Sequence, residues 1–89
     1  MNAALESLQL QDGYLANTGG HVMCWRVDLD DEDDGRHILI SDEGDDFAVG
    51  VYKNWGDEGV VFYGCTADKV RAFVAIAVAS VKLAKEITR

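Results

Sequence analysis

The strongest constraint on the fold is a change in hydrophobic period near Thr66. Before this residue, apolar side chains recur at every second position in several short segments. After it they recur at every third or fourth position. A period of two is typical of half-buried strands, and a period of 3.6 is typical of an amphipathic helix. The chain has 89 residues, enough for one domain. Residues 1–89 are therefore predicted to form a single α+β domain in which strands precede one long helix.

Four segments alternate in the way that indicates a strand. They span residues 22–29, 36–41, 47–53 and 60–64. The connections between them are short, which favours an antiparallel meander. Residues 17–20 break the chain before the first strand, and residues 1–10 are interpreted as a short helix, with an extended segment as the alternative. We predict a four-stranded antiparallel β-meander packed on one long C-terminal helix, with a short N-terminal helix or extended segment.

The helical period continues over residues 67–88, after the typical N-cap residue Thr66. The face predicted to lie on the sheet consists of Val70, Phe73, Val74, Ala77, Val78, Val81 and Ala84. A neighbouring stripe, which we call the second seam, consists of Ile76, Ser80, Leu83 and Ile87. The second seam has heptad-like spacing, and together with the sheet face it forms an apolar arc of roughly 200°. This arc is wider than one sheet contact requires, which predicts a further covering element. This element is either the N-terminal segment, through Leu5 and Leu8, or the same helix of a second subunit, which would make the protein a homodimer.

The negative charge of the chain is concentrated in one segment. Ten of the sixteen carboxylates lie in residues 28–46 with the single base Arg36, so this segment carries −9 in a chain whose net charge is −8. The first acidic run is Asp30, Asp31, Glu32, Asp33 and Asp34, and the second acidic run is Asp42, Glu43, Asp45 and Asp46. Such a surface predicts a protein partner with a basic surface, and it argues against direct binding of nucleic acid.

The first acidic run partly matches a calcium-binding loop. If Asp30 is the first position, Glu32 and Asp34 fall at the third and fifth. The twelfth position is Ser41 instead of the bidentate Glu that closes such a loop, and strands flank it. In a meander the two acidic runs also lie roughly 20 Å apart, too far to share one ion. We predict no metal site and no cofactor.

The sequence gives little support for an enzyme. His37 and Ser41 share a strand face but lie about 13 Å apart, beyond hydrogen-bond reach. Cys65 precedes the helix cap, where a thiol is more often a small buried hydrophobe than a nucleophile. The chain contains no glycine-rich phosphate loop and no Cys-x-x-Cys motif.

The compartment follows from what the sequence lacks. No apolar run approaches the ~20 residues of a membrane span, and residues 1–10 do not have the pattern of a secretory signal. A cytoplasmic location is the default expectation. The two cysteines permit one disulfide at most, and a reducing compartment would keep them as thiols.

Two tryptophans occupy different contexts. Strand alternation places Trp25 in the core, whereas Trp55 lies in a polar loop bounded by glycines. Trp55 is therefore a candidate anchor for a protein partner, and the alternative is that its ring folds back over the sheet edge. The predicted partner-binding residues are the two acidic runs and Trp55.

In size, charge and expected fold, the chain resembles the small acidic inhibitors encoded by bacteriophages, such as anti-CRISPR and anti-restriction proteins. The resemblance covers the whole chain but no motif. It implies a non-enzymatic protein that occupies a basic, nucleic-acid-binding site of another protein in the host cytoplasm. The alternative function is that of a small structural or assembly protein that oligomerises through its C-terminal helix.

Overall fold

The computed structural model describes residues 3–19, 22–30, 35–54 and 58–87. Within these ranges the elements are α1 (Ala3–Glu6), β1 (Tyr14–Gly19), β2 (Val22–Asp28), β3 (His37–Asp42), β4 (Phe47–Tyr52), β5 (Val60–Cys65) and α2 (Ala67–Ile87). The strands form one sheet in the order β1-β2-β3-β4-β5, and each strand is antiparallel to the next. The predicted α+β class, antiparallel sheet and C-terminal helix are confirmed.

The predicted number of strands is wrong, because β1 adds a fifth. β1 pairs with β2, with Leu15 opposite Trp25 and Gly19 opposite Val22. Asn17 and Gly19 have low strand propensity, so the segment resembles a chain break in sequence. The segment can still form a strand, because pairing in a hairpin uses backbone hydrogen bonds and the neighbouring strand β2 provides the partners. Tertiary context therefore overrides local propensity in this segment.

One face of the sheet carries the hydrophobic core. The alternation predicted for β2, β3 and β4 places Val27, Ile38, Ile40, Phe47 and Val49 on this face. Leu5 and Leu8 from the N-terminal segment and Val70 and Val74 from α2 complete the buried cluster. Trp25 packs against the cluster at its margin, and its indole Nε1 donates a hydrogen bond to the Asp12 carbonyl oxygen at 2.8 Å.

Only part of α2 packs on the sheet. Thr66 caps its first turn, since the Lys69 N–H donates to Thr66 Oγ1 at 3.3 Å. Of the seven side chains predicted to face the sheet, Val70 and Val74 are buried, Ala77, Val78 and Val81 are half-buried, and Phe73 and Ala84 are exposed. Phe73 and Ala84 therefore lie at the margin of the contact face.

The second seam is not covered by the N-terminal segment. Leu5 and Leu8 are 1% and 0% exposed because they are already used in the core. The seam residues Ile76, Leu83 and Ile87 are 66%, 57% and 73% exposed. The structure thus rules out one of the two covering elements that the sequence left open.

Candidate docking surfaces

The first acidic run begins with a carboxylate that is held by an arginine. Asp30 accepts hydrogen bonds from Arg36 Nε at 3.0 Å and from Arg36 Nη2 at 2.7 Å. The Arg36 backbone N–H also donates to Asp30 Oδ2 at 2.9 Å. These bonds join the two ends of the β2–β3 connection, because Asp30 follows β2 and Arg36 precedes β3. Asp30 therefore has a local structural role that sequence analysis missed.

The ion pair shifts the titration of both partners. The pKa of the Asp30 carboxyl group is lowered from 3.8 to about 2, mainly by hydrogen bonds from Arg36. The nearby charge of Lys85 makes a small contribution to this shift. The same contact raises the pKa of the Arg36 guanidinium. The sequence did contain a signal for this pair, since Arg36 is the single base in the acidic segment. The other four members of the first acidic run, Asp31, Glu32, Asp33 and Asp34, lie outside the described residues.

The second acidic run forms the tip of the β3–β4 hairpin. Asp42 Oδ1 accepts a hydrogen bond from the Gly44 N–H at 2.9 Å, and the Glu43 N–H donates to the Asp46 carbonyl oxygen at 2.9 Å. Asp42, Glu43 and Asp45 are exposed and Asp46 is half-buried. None of the salt bridges between described residues involves this run. The turn therefore presents its carboxylates to solvent without a neutralising base.

Asp30 and the second acidic run lie at opposite ends of β3. Asp30 precedes this strand, and Asp42 ends it. Six residues in extended conformation span roughly 20 Å. Among the described residues, no group of three or more His, Cys, Asp and Glu side chains is arranged to hold a metal ion.

His37 and Cys65, the side chains considered for catalysis, are packed within the fold. The His37 ring is buried, stacks on Tyr52 with 5.2 Å between ring centroids, and its Nδ1 lies 2.8 Å from the Gly35 carbonyl oxygen. Cys24 is buried and Cys65 is half-buried, and both are thiols. Trp55, the candidate anchor, lies outside the described residues.

A second candidate surface is apolar and was only partly foreseen. Nine large apolar side chains are exposed in the described part of the chain, and eight of them belong to β5 and α2. Val60 and Phe62 in β5 are 58% and 51% exposed, although alternation places them on the helix-bearing face of the sheet. A groove of about 250 Å³ lies between the two elements, lined by Val49, Phe62, Cys65, Lys69 and Phe73. The sequence pattern predicts the second seam but not the β5 side of this groove.

Comparisons with protein-family models, with curated proteins and with solved structures gave no match. No helix in the described residues is long and apolar enough to cross a membrane.

Proposed function

We propose that this chain is a non-enzymatic binding protein that uses its acidic ends to occupy a basic site on another protein. The observation that carries the proposal is the segregation of charge: residues 28–46 hold −9, and the rest of the chain sums to about +1. A site that normally binds nucleic acid has the matching character, because it presents Lys and Arg to phosphates. The target is therefore a nucleic-acid-handling protein or complex.

The β3–β4 hairpin is the best-defined part of this surface. Its turn is held by the Asp42–Gly44 hydrogen bond and carries three exposed acidic residues, Asp42, Glu43 and Asp45, with Asp46 half-buried beside them. Clustered charges of one sign create a local potential that steers an oppositely charged partner during encounter. Ordering before binding also reduces the entropy lost on association.

The first acidic run is proposed to act from the other end of β3. The Asp30–Arg36 pair fixes the start of the connection and neutralises one carboxylate. We therefore assign most of the binding role at this end to the other four residues, Asp31, Glu32, Asp33 and Asp34. A partner that meets both ends needs a basic surface roughly 20 Å long. A shorter basic site would be served by the second acidic run alone.

The class resemblance to phage-encoded anti-CRISPR and anti-restriction inhibitors supports an inhibitory outcome. Such a protein would act in the host cytoplasm, where the targets of these inhibitors are found. Occupation of the basic site would exclude nucleic acid from the target by direct competition, without any chemical step.

A capture experiment tests the proposal. Immobilised protein is mixed with a bacterial lysate at about 50 mM and at about 500 mM salt, which bracket weak and strong screening. We expect a nucleic-acid-handling protein to be retained at low salt and released at high salt. Added DNA should compete with the immobilised protein for that target.

Two matched variants distinguish the effect of charge at the hairpin from the effect of the protein's total charge. The first changes Asp42, Asp45 and Asp46 to Asn and Glu43 to Gln. The amide oxygen of Asn at position 42 can still accept the Gly44 N–H, so the turn should persist. The control neutralises four carboxylates elsewhere, at Glu6, Asp12, Asp68 and Glu86.

We expect the hairpin variant to associate with the captured target at least about tenfold more slowly, and the control to change the rate much less. Equal association by both variants and the wild type at low salt would show that the acids serve solubility. Trp55→Ala should act mainly on dissociation, because a buried aromatic anchor holds a complex after encounter.

A further inference from the structure

The exposed apolar residues of α2 and those on the helix-bearing face of β5, Val60 and Phe62, form one surface. Phe62 and Phe73 line opposite walls of the groove between the two elements. On α2, Phe73 continues the second seam toward the helix N-terminus, and Val60 continues the β5 wall. Single exposed apolar side chains are normal on proteins, but a continuous patch of this kind marks an interaction site.

The spacing along α2 indicates that the covering element is a helix. Phe73, Ile76, Ser80, Leu83 and Ile87 are separated by three, four, three and four residues. This 3-4 spacing keeps one stripe of side chains in line with a second helix, and strands or loops do not require it. Within the described residues α1 has only four residues, and Leu5 within it and Leu8 after it are buried in the core. The described chain thus has no helix of its own to cover the second seam.

The seam is complementary to itself when two copies run antiparallel. Phe73 and Ile87 lie seven residues on either side of Ser80, and Ile76 and Leu83 lie four and three residues from it. Antiparallel pairing about Ser80 brings Ile87 of one copy against Phe73 of the other, at the mouth of the Phe62–Phe73 groove. The small side chain of Ser80 allows close approach at the centre, and antiparallel helix dipoles attract.

We propose that the second seam of α2, extended by Phe73 and by the β5 wall of the groove, is a homodimer interface with antiparallel α2 helices. The area is adequate. The six apolar side chains on this side are Val60, Phe62, Phe73, Ile76, Leu83 and Ile87, and each exposes on the order of 100 Å². With the neighbouring alanines they approach the roughly 800 Å² per partner of a standard interface.

The charges near the seam are compatible with antiparallel pairing, and they predict how the dimer responds to salt. No carboxylate lies on the seam itself, and Lys69 at one end would come near the C-terminal turn of the second copy's helix, where cations are favoured. Each copy nevertheless carries −8. Because screening weakens the repulsion between two such copies, the dimer should tighten as salt rises. Docking of the acidic ends on a basic partner has the opposite salt dependence, so the two proposals fail independently.

Sedimentation equilibrium tests the dimer from about 1 to about 500 µM protein, at low and high salt. We expect wild-type protein to be dimeric within this range and more strongly dimeric at high salt. Leu83→Glu and Ile76→Glu should each weaken the dimer at least about 100-fold. Both should keep the wild-type circular dichroism, because these side chains are exposed in the monomer.

Lys82→Glu is the matched control, because it adds a glutamate one residue from Leu83 on a side of the helix about 100° away. It should leave the dissociation constant within about threefold of wild type. A wild type that remains monomeric at about 500 µM and high salt would overturn the proposal. A folded Leu83→Glu variant that remains fully dimeric would also overturn it.

Disulfide cross-linking tests the orientation in a Cys65→Ser background. The two copies of residue 80 meet in an antiparallel pair, whereas the two copies of residue 87 lie roughly 21 Å apart along the helix axis. Ser80→Cys should therefore cross-link on oxidation and Ile87→Cys should not. Cross-linking of both variants would show parallel helices and contradict the antiparallel assignment.

Discussion

The two sides of the helix-bearing face of the sheet have the same sequence pattern but differ in burial. On the β1–β2 side, Leu15 and Trp25 are half-buried beneath the N-terminal segment. Residues 9–12 of this segment line a cleft with Arg71, Val74 and Ala75 of α2. On the β5 side, Val60 and Phe62 occupy equivalent positions on their strand, yet they are exposed.

The difference comes from the covering elements and not from the strands. One helix about 32 Å long and a short N-terminal segment cover the middle and one side of a five-stranded sheet. Nothing in the described chain reaches the other side. Alternation in a sequence therefore specifies which face of a strand is apolar, but burial depends on whether a second layer is present above it. The uncovered side is where a second copy is proposed to bind.

The largest expected effect is on the covered side. Leu8→Ala should lower the free energy of unfolding by about 2–5 kcal/mol, because it removes a fully buried side chain and leaves a cavity in the core. Urea denaturation followed by tryptophan fluorescence measures this loss. The matched change Leu83→Ala, at low protein concentration, should cost within about 0.5 kcal/mol, because Leu83 is exposed on the seam. Equal losses of unfolding free energy in the two variants would contradict the difference in burial between Leu8 and Leu83.

A second prediction compares two glycines that both have positive φ. A Cβ atom at Gly13 (φ 96°), on the covered side, would lie 2.4 Å from the Arg26 carbonyl oxygen and 2.5 Å from Trp25 Nε1. One at Gly44 (φ 98°), in the β3–β4 turn, meets nothing within 4 Å. Gly13→Ala should cost roughly 2–3 kcal/mol in unfolding free energy and Gly44→Ala about 1 kcal/mol. A reversed order would mean that Gly13 can relax without disturbing the Trp25–Asp12 hydrogen bond.

The third prediction concerns the uncovered side. Phe62→Ala should lower the stability of the monomer by less than about 1 kcal/mol, against the 3–5 kcal/mol usual for a buried Phe. Thermal unfolding at about 1 µM, the lower limit of the expected dimer range, minimises the contribution of the dimer. At high concentration the same variant should lose more, because the groove wall then contributes to the dimer. A large loss at low concentration would show that β5 is covered within one chain.

The smallest effect should appear in acid. Arg36 holds Asp30 and lines a cleft under the C-terminal half of α2, together with Ser80, Val81, Ala84 and Lys85. The C-terminal half of α2 therefore lies near an ion pair, whereas Val70 and Val74 in its N-terminal half pack in the apolar core. The pKa of Asp30 is lowered in the folded state. Its contribution to stability is therefore present above pH 3.8 and is lost as pH falls toward about 2. The melting temperature of wild type should exceed that of Asp30→Asn at pH 6, and the difference should shrink between pH 4 and pH 2. A difference that stays constant to pH 2 would contradict the role of the pair.

Much of the fold could be predicted from the sequence because its local signals agree. Strands β2 to β5 and helix α2 have their expected positions, with ends that differ by one residue where they differ. The helix cap at Thr66 and the inward positions Ile38, Ile40 and Val49 also follow the pattern. β1 was missed because the strand propensity of Asn17 and Gly19 is low and its pairing is supplied by β2. The adjacent glycines at 19 and 20 were a hairpin signal that a search for short turns would have found.

The candidate surfaces were less predictable. Charge counting located the second acidic run, which the structure places in an exposed turn, but it did not distinguish Asp30 from its neighbours. The side chain of Asp30 is used by Arg36, and such pairing depends on how the chain returns through the β2–β3 connection. The exposure of Phe62 and Phe73 depends on where α2 crosses the sheet, which no periodicity specifies.

The nearest-neighbour order of the strands has a consequence for folding kinetics. Each hairpin closes a short loop, so the entropy lost at each closure is small and the sheet can assemble by sequential zipping. The chain contains no proline, which removes the commonest cause of refolding phases lasting tens of seconds. The contact of α1 with β3 is the long-range step within the core, and it requires a sheet that already exists. Refolding should therefore be fast, with docking of the N-terminal segment as its last event.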